Sequence, residues 1–154
     1  MNTFAVLTEL AHLNRRVHDH ALLLMTEHTL AGDVAMTPRI ELIPVGDGIR
    51  AVLSHHITFG AAHEIRLALR LTVTPAGYDG DLHAGIVLDP PDDRFPGAGR
   101  VARDWPAPGP DVAAVLTALE TAVAQLCAGG DPFGFLADYA REAVIPGLFP
   151  EPED

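Results

Sequence analysis

The side chains through which this chain could do chemistry are eight histidines, one cysteine, one tryptophan and a Ser54-x-His56 pair on an alternating segment. So many histidines raise metal ligation first, and their spacing argues against it. His18 and His20 stand two apart in a helical pattern, roughly 200° around the axis, whereas two helical ligands of one ion want a spacing of four. His12 and His20 share a side but lie about 12 Å apart, too far for an ion with bonds of about 2 Å. His55 and His56 are strand neighbours and point to opposite faces. The one remaining arrangement joins His20 and His55 in the packed core. The pattern is read as solvated helix histidines and one core histidine that keeps a hydrogen bond, with no metal and no cofactor expected.

Ser54 and His56 share one face of a strand, as a nucleophile and its base would. Their spacing along the strand, roughly 6.6–7 Å, exceeds hydrogen-bond reach unless both side chains lean together. No Gly-x-Ser-x-Gly elbow surrounds Ser54, so the sequence favours a protein that is not an enzyme. Gly97-Ala98-Gly99 lacks the third glycine and the following helix start of a phosphate-binding loop. Cys127 falls near the end of a core-facing helix, where a small thiol packs well. Trp105, between Asp104 and Pro106, is expected to anchor a loop onto the domain.

The elements that must position these groups are read from periodicity. Residues 3–31 predict a long helix, with Asn2 or Thr3 as N-cap and a stripe of Val6, Leu10, Leu13, Val17, Ala21 and Leu24. Such a helix is longer than a compact domain of this size needs, so a break near His18-Asp19-His20, or a role in meeting a second copy, is expected. Four alternating segments follow: 39–45, 49–59, 64–73 and 82–88. Glu64 to Val73 is the most regular, with a large aliphatic at nearly every odd position and small, polar or charged residues between. Asp47-Gly48 is read as the two-residue turn of the first hairpin, pairing Leu42 with Leu53 and Ile40 with His55. Residues 90–110 read as a long Pro/Gly-rich loop, within which Val101-Ala102-Arg103 could form a short edge strand. Asp111 is expected to cap a helix to Ala128. Asp131-Pro132 is expected to start a last helix, followed by an acidic tail at 148–154.

The expected fold is therefore one α+β domain over residues 1–154: a long N-terminal helix, a four-stranded antiparallel meander, then two C-terminal helices packed on one sheet face. The inner face would carry the aliphatics, including Ile40, Leu42, Ile49 and Val73. The open face would carry Arg39, Glu41, Ser54, Ala68 and His83 alongside the candidate binding residues Arg50, Val52, His56, Arg66, Arg70 and Val87.

A chain of 154 residues with 48% hydrophobic and 20% charged residues is globular in composition and can bury a real core. Net charge −11 opposes non-specific binding to nucleic acid or an anionic membrane. No apolar run approaches the ~20 residues of a membrane span, and no signal peptide is readable. A single cysteine suits a reducing compartment, so a cytoplasmic protein is expected. All ten basic residues are arginine, which with abundant Ala, Gly and Pro fits a high-GC bacterial genome. The expected function is a protein-binding or adaptor module, chaperone-like or immunity-like, that associates with itself through the open sheet face. The alternative is a small-molecule-binding domain or enzyme whose pocket, lined by His20, His55 and Trp105, lies between sheet and helices under the 90–110 loop.

Overall fold

Helix α1 (Thr3–Glu27) opens with Asn2 as its cap, whose side-chain oxygen accepts the Ala5 amide at 2.8 Å. The structure, a computed structural model, describes residues 1–27, 33–59, 63–87 and 100–128. Leu10, Leu13, Val17, Ala21 and Leu24 form the buried stripe expected from their spacing. The helix runs unbroken through His18-Asp19-His20, contrary to the expected break. Its length is about 37 Å at the α-helical rise. The expected last residues of the helix, 28–31, lie outside the described residues.

Five strands follow in chain order: β1 (Ala35–Val45), β2 (Gly48–Phe59), β3 (His63–Thr74), β4 (Gly77–Val87) and β5 (Arg100–Pro108). They form one antiparallel sheet in the order β1-β2-β3-β4-β5. Helix α2 (Val112–Cys127) starts at Asp111, whose carboxylate accepts the Ala114 amide at 2.8 Å. The expected α+β class holds, and the expected strand count does not. The fifth strand is cut from the segment read as a loop, whose prolines concealed its alternation. Pro106 and Pro108 are tolerated because β5 is an edge strand, where a missing N–H costs no ladder bond. Pro38 and Pro44 mark the other edge, β1, in the same way, and no central strand contains proline. One C-terminal helix is described. The second expected helix, from Asp131, and the tail at 148–154 lie outside the described residues.

Two turns differ from expectation. Val45 pairs with Gly48, so the first hairpin turns on Gly46-Asp47 and Leu42 faces Ala51 rather than Leu53. Gly46 carries the positive φ, +59°. Gly48 is glycine for a different reason, since a Cβ there would stand 2.3 Å from the Val73 carbonyl oxygen. The register moves by two residues, which leaves every side chain on its expected face. Between β3 and β4 the chain turns on Pro75-Ala76 alone, and β4 starts five residues earlier than its hydrophobic run.

Both described helices cover one face. α2 lies on β4 and β5, and α1 lies against α2, β2 and β3. Gly80 presents bare backbone beneath α2, where a Cβ would come within 2.9 Å of Val115 Cγ1. The core runs from Ile57, Phe59, Ile65, Leu67 and Leu69 to Leu82, Ile86 and Trp105, closed by Val115, Leu119 and Val123. At the β1 side the covering stops. Ile40, Leu42, Ile49 and Val73, expected in the core, are 74%, 71%, 55% and 40% exposed.

Candidate functional site

The face turned away from the helices is not flat. Residues of four neighbouring strands, from Arg39, Glu41 and Ile43 on β1 to His83 on β4, line one cavity of about 370 Å³. Arg50, Val52, Ser54 and His56 of β2 and Arg66, Ala68 and Arg70 of β3 complete its lining. Alternation placed all of these on the open face, and antiparallel pairing sets them in rows: Arg39, Ser54, Ala68 and His83 lie side by side across the sheet. Ser54, His56 and Ala68 are buried although no described helix packs over them. A second depression of about 290 Å³ shares Arg50 and Arg70 and continues toward Asp79 and Asp81.

In the cavity Ser54 and His56 lean together. Ser54 Oγ lies 2.9 Å from His56 Nε2, and His56 Nδ1 lies 3.2 Å from Glu64 Oε1. With the proton on Nδ1, the ring nitrogen beside the Glu64 carboxylate, neutral His56 presents Nε2 as an acceptor for the Ser54 hydroxyl. The same Glu64 oxygen accepts from Arg66 Nε at 3.1 Å and forms an ion pair with Arg66 Nη2 at 2.9 Å. The result is a polar chain Arg66–Glu64–His56–Ser54, and Ser54 is the only serine in the sequence.

The four arginines are unequal. Arg70 is held by Asp81, to which Nε donates at 2.7 Å and Nη2 makes a second short contact, and by Asp104 at 3.1 Å. The Asp81 hydrogen bond raises the Arg70 pKa further, against the opposing effect of burial and with help from the charges of Asp81 and Asp104. His83 Nδ1 joins the cluster 2.8 Å from Asp104. Arg50 Nε donates only to a neutral group, Thr72 Oγ1, at 3.0 Å. Among the described residues neither Arg39 nor Arg50 has a carboxylate within ion-pair distance. Among the described residues Glu41 is the one carboxylate in the lining.

Of the expected open-face residues, Arg50, Val52, His56, Arg66 and Arg70 meet in the cavity. Val87 lies on the same face at the far end of β4, opposite Glu64, and is not part of the lining. The residues of the alternative pocket lie on three elements. His20 is buried on α1. His55 is buried on β2, its Nε2 3.1 Å from Asn14 Oδ1 and its ring 5.2 Å from that of His18. Trp105 is no loop anchor but a buried residue of β5, paired with Leu82, with the Arg103 guanidinium 4.6 Å from its ring centroid. It lines a separate groove of about 340 Å³ along α2 that neither His20 nor His55 reaches. Cys127 is exposed rather than packed.

The residues missed from sequence are Arg39 as a member of the site and Glu64 as the partner of His56. Glu64 became legible only with the β2–β3 register, which sets Arg66 opposite His56 and Glu64 diagonal to it. Among the described residues no three His, Cys, Asp or Glu side chains converge as a metal site requires, and no helix is long and apolar enough to cross a membrane. No family model, curated protein or solved structure matches the chain.

Proposed function

We propose that this protein binds a small oxygen-rich anion, a carboxylate or a phosphate ester, in the cavity on the open face of its sheet. One observation carries the reading: two guanidinium groups, Arg39 and Arg50, face a cavity of about 370 Å³ and, among the described residues, have no carboxylate within ion-pair distance. That volume lies in the range of small-molecule sites, and guanidinium matches carboxylate and phosphate oxygens in geometry as well as charge. Arg66 and Arg70, neutralised by Glu64, Asp81 and Asp104, serve to hold the walls. A cytoplasmic setting, expected from the single cysteine, goes with this reading.

Titration calorimetry with adipate and with inorganic phosphate tests it. Binding that weakens with salt, and by tenfold or more in Arg50→Ala, is expected, since a lost charge-assisted hydrogen bond is worth about 1.5–3 kcal/mol. Absence of heat with every anion tried, or equal affinity in the variant, overturns it.

A second reading, the self-associating module, is supported on the opposite face. Ile40, Leu42, Ile49 and Val73 adjoin through the register as an apolar strip beyond the helices, and contiguous apolar surface of this kind marks association sites. The prolines of β1 oppose addition of a further strand, so a partner would lie on the strip rather than extend the sheet. Light scattering over a concentration series is expected to show a dimer that Ile40→Glu with Leu42→Glu abolishes. Arg66→Glu with Arg70→Glu, on the other face, should leave it intact.

A further inference from the structure

Besides holding an anion, the cavity contains the parts of a nucleophilic site, and we infer that Ser54, His56 and Glu64 hydrolyse a small carboxylic ester that carries a second, anionic group. The inference rests on the anion-binding reading for its substrate class and on a separate observation for its chemistry. That observation is the order of the three side chains: Ser54 Oγ is hydrogen-bonded to His56 Nε2 at 2.9 Å, and the Glu64 carboxylate stands within ion-pair distance of His56 Nδ1, at 3.2 Å. These distances are what a serine nucleophile, its general base and the group that orients the base require, and such sites are recognised by geometry rather than by fold.

The step balances within these groups. Ser54 Oγ attacks the acyl carbon while its proton passes to His56 Nε2, and Glu64 stabilises the imidazolium through Nδ1. The tetrahedral intermediate collapses by breaking the ester C–O bond, and His56 returns the proton to the departing alcohol oxygen. Water then attacks the acyl-Ser54 carbon, gives its proton to His56, and releases Ser54 with that proton and the free acid. The sum is ester plus water to acid plus alcohol. Backbone amides beside Ser54 belong to the sheet ladder on both sides, so the donor for the oxyanion must be a side chain. Arg39, directly opposite Ser54 and lining the cavity, is placed for it.

Arg50 sets the shape of the substrate. Four residues of strand separate it from Ser54, about 13 Å between backbones, and its own side chain spans roughly half of that. The anionic end therefore lies some five bonds from the acyl carbon, as in a monoester of adipate. Glu64 touches neither end and is a positioning residue.

The experiment treats the wild-type protein with a fluorophosphonate and measures intact mass, then measures hydrolysis of the 4-nitrophenyl monoester of adipate against 4-nitrophenyl acetate. One adduct on Ser54 and at least a tenfold preference for the adipate ester in kcat/KM are expected. Ser54→Ala and His56→Gln, folded by circular dichroism, should each lose a hundredfold or more. Arg50→Ala should raise KM for the adipate ester alone, and Glu64→Gln should lower kcat at nearly constant KM. If no adduct forms and hydrolysis equals that of Ser54→Ala while adipate still binds by calorimetry, the catalytic inference is wrong and anion binding stands. If adipate does not bind either, both are wrong.

Discussion

Leu69→Ala is expected to cost about 2–5 kcal/mol of folding stability, the range for truncating a fully buried leucine whose site cannot collapse. Leu69 is 0% exposed. It stands at the centre of a row that crosses the sheet, with Leu53 on one side and Leu82, then Trp105, on the other. Neighbours held by ladder hydrogen bonds on both sides cannot close the gap, so the cavity term adds to the lost transfer energy. Arg66→Ala, three residues away on the opposite face, removes a pair whose arginine side chain is 50% exposed. A change of about 1 kcal/mol or less is expected there. Denaturant melts of both variants with a common m-value decide the matter; equal losses would contradict the assignment of faces along β3.

Acid is expected to unfold the protein in a window set by His55. Burial first, then the neighbouring His18 and His56, lower its pKa from 6.5 to about 4. The geometry agrees: Nε2 has Asn14 as its partner, while the buried Nδ1 has none among the described residues and is best left as a bare lone pair. The sign follows from proton binding. Between pH 6.5 and about 4 the unfolded chain takes up a proton at this position and the folded chain does not, so stability falls with pH across that interval. The contribution of His55 is complete above pH 6.5 and gone below about 4, amounting to about 3 kcal/mol. Urea melts from pH 7.5 to 4 should show this slope, and His55→Leu should flatten it. An unchanged slope in the variant would assign the acid sensitivity elsewhere.

Much of the site was legible in the chain because strand alternation has a period of two. Ser54, His56, Arg66 and Arg70 were assigned to one face and His55, Leu67 and Leu69 to the other without knowledge of the pairing. Even a register displaced by two residues, as at the first hairpin, preserves those faces. The spacing of α1's apolar stripe and the Asp111 cap were local in the same sense, each set by residues within a turn or two.

Proline and glycine were harder to read, because one residue type answers several needs. Pro106 and Pro108 suggested a loop where an edge strand needs no outward N–H, and Gly48 suggested a turn where the real demand is the approach of the Val73 carbonyl. Coverage also depended on distant packing. Ile40 and Leu42 carry a core pattern and are nonetheless 74% and 71% exposed, because the described helices pack chiefly on β2 to β5.

By itself, the sequence determined the α+β class, the face on which the residues of the four expected strands lie and the charge gathered on the open face. Periodicity and capping act between near neighbours, and a one-dimensional pattern records them. Tertiary structure alone decided that four strands line one cavity, that Arg39 and Arg50 face it with no carboxylate at ion-pair distance among the described residues, and that Glu64 stands beside the His56–Ser54 pair. Those outcomes depend on inter-strand register and on side-chain rotamers meeting across it, distances of a few ångströms between residues that no sequence spacing specifies.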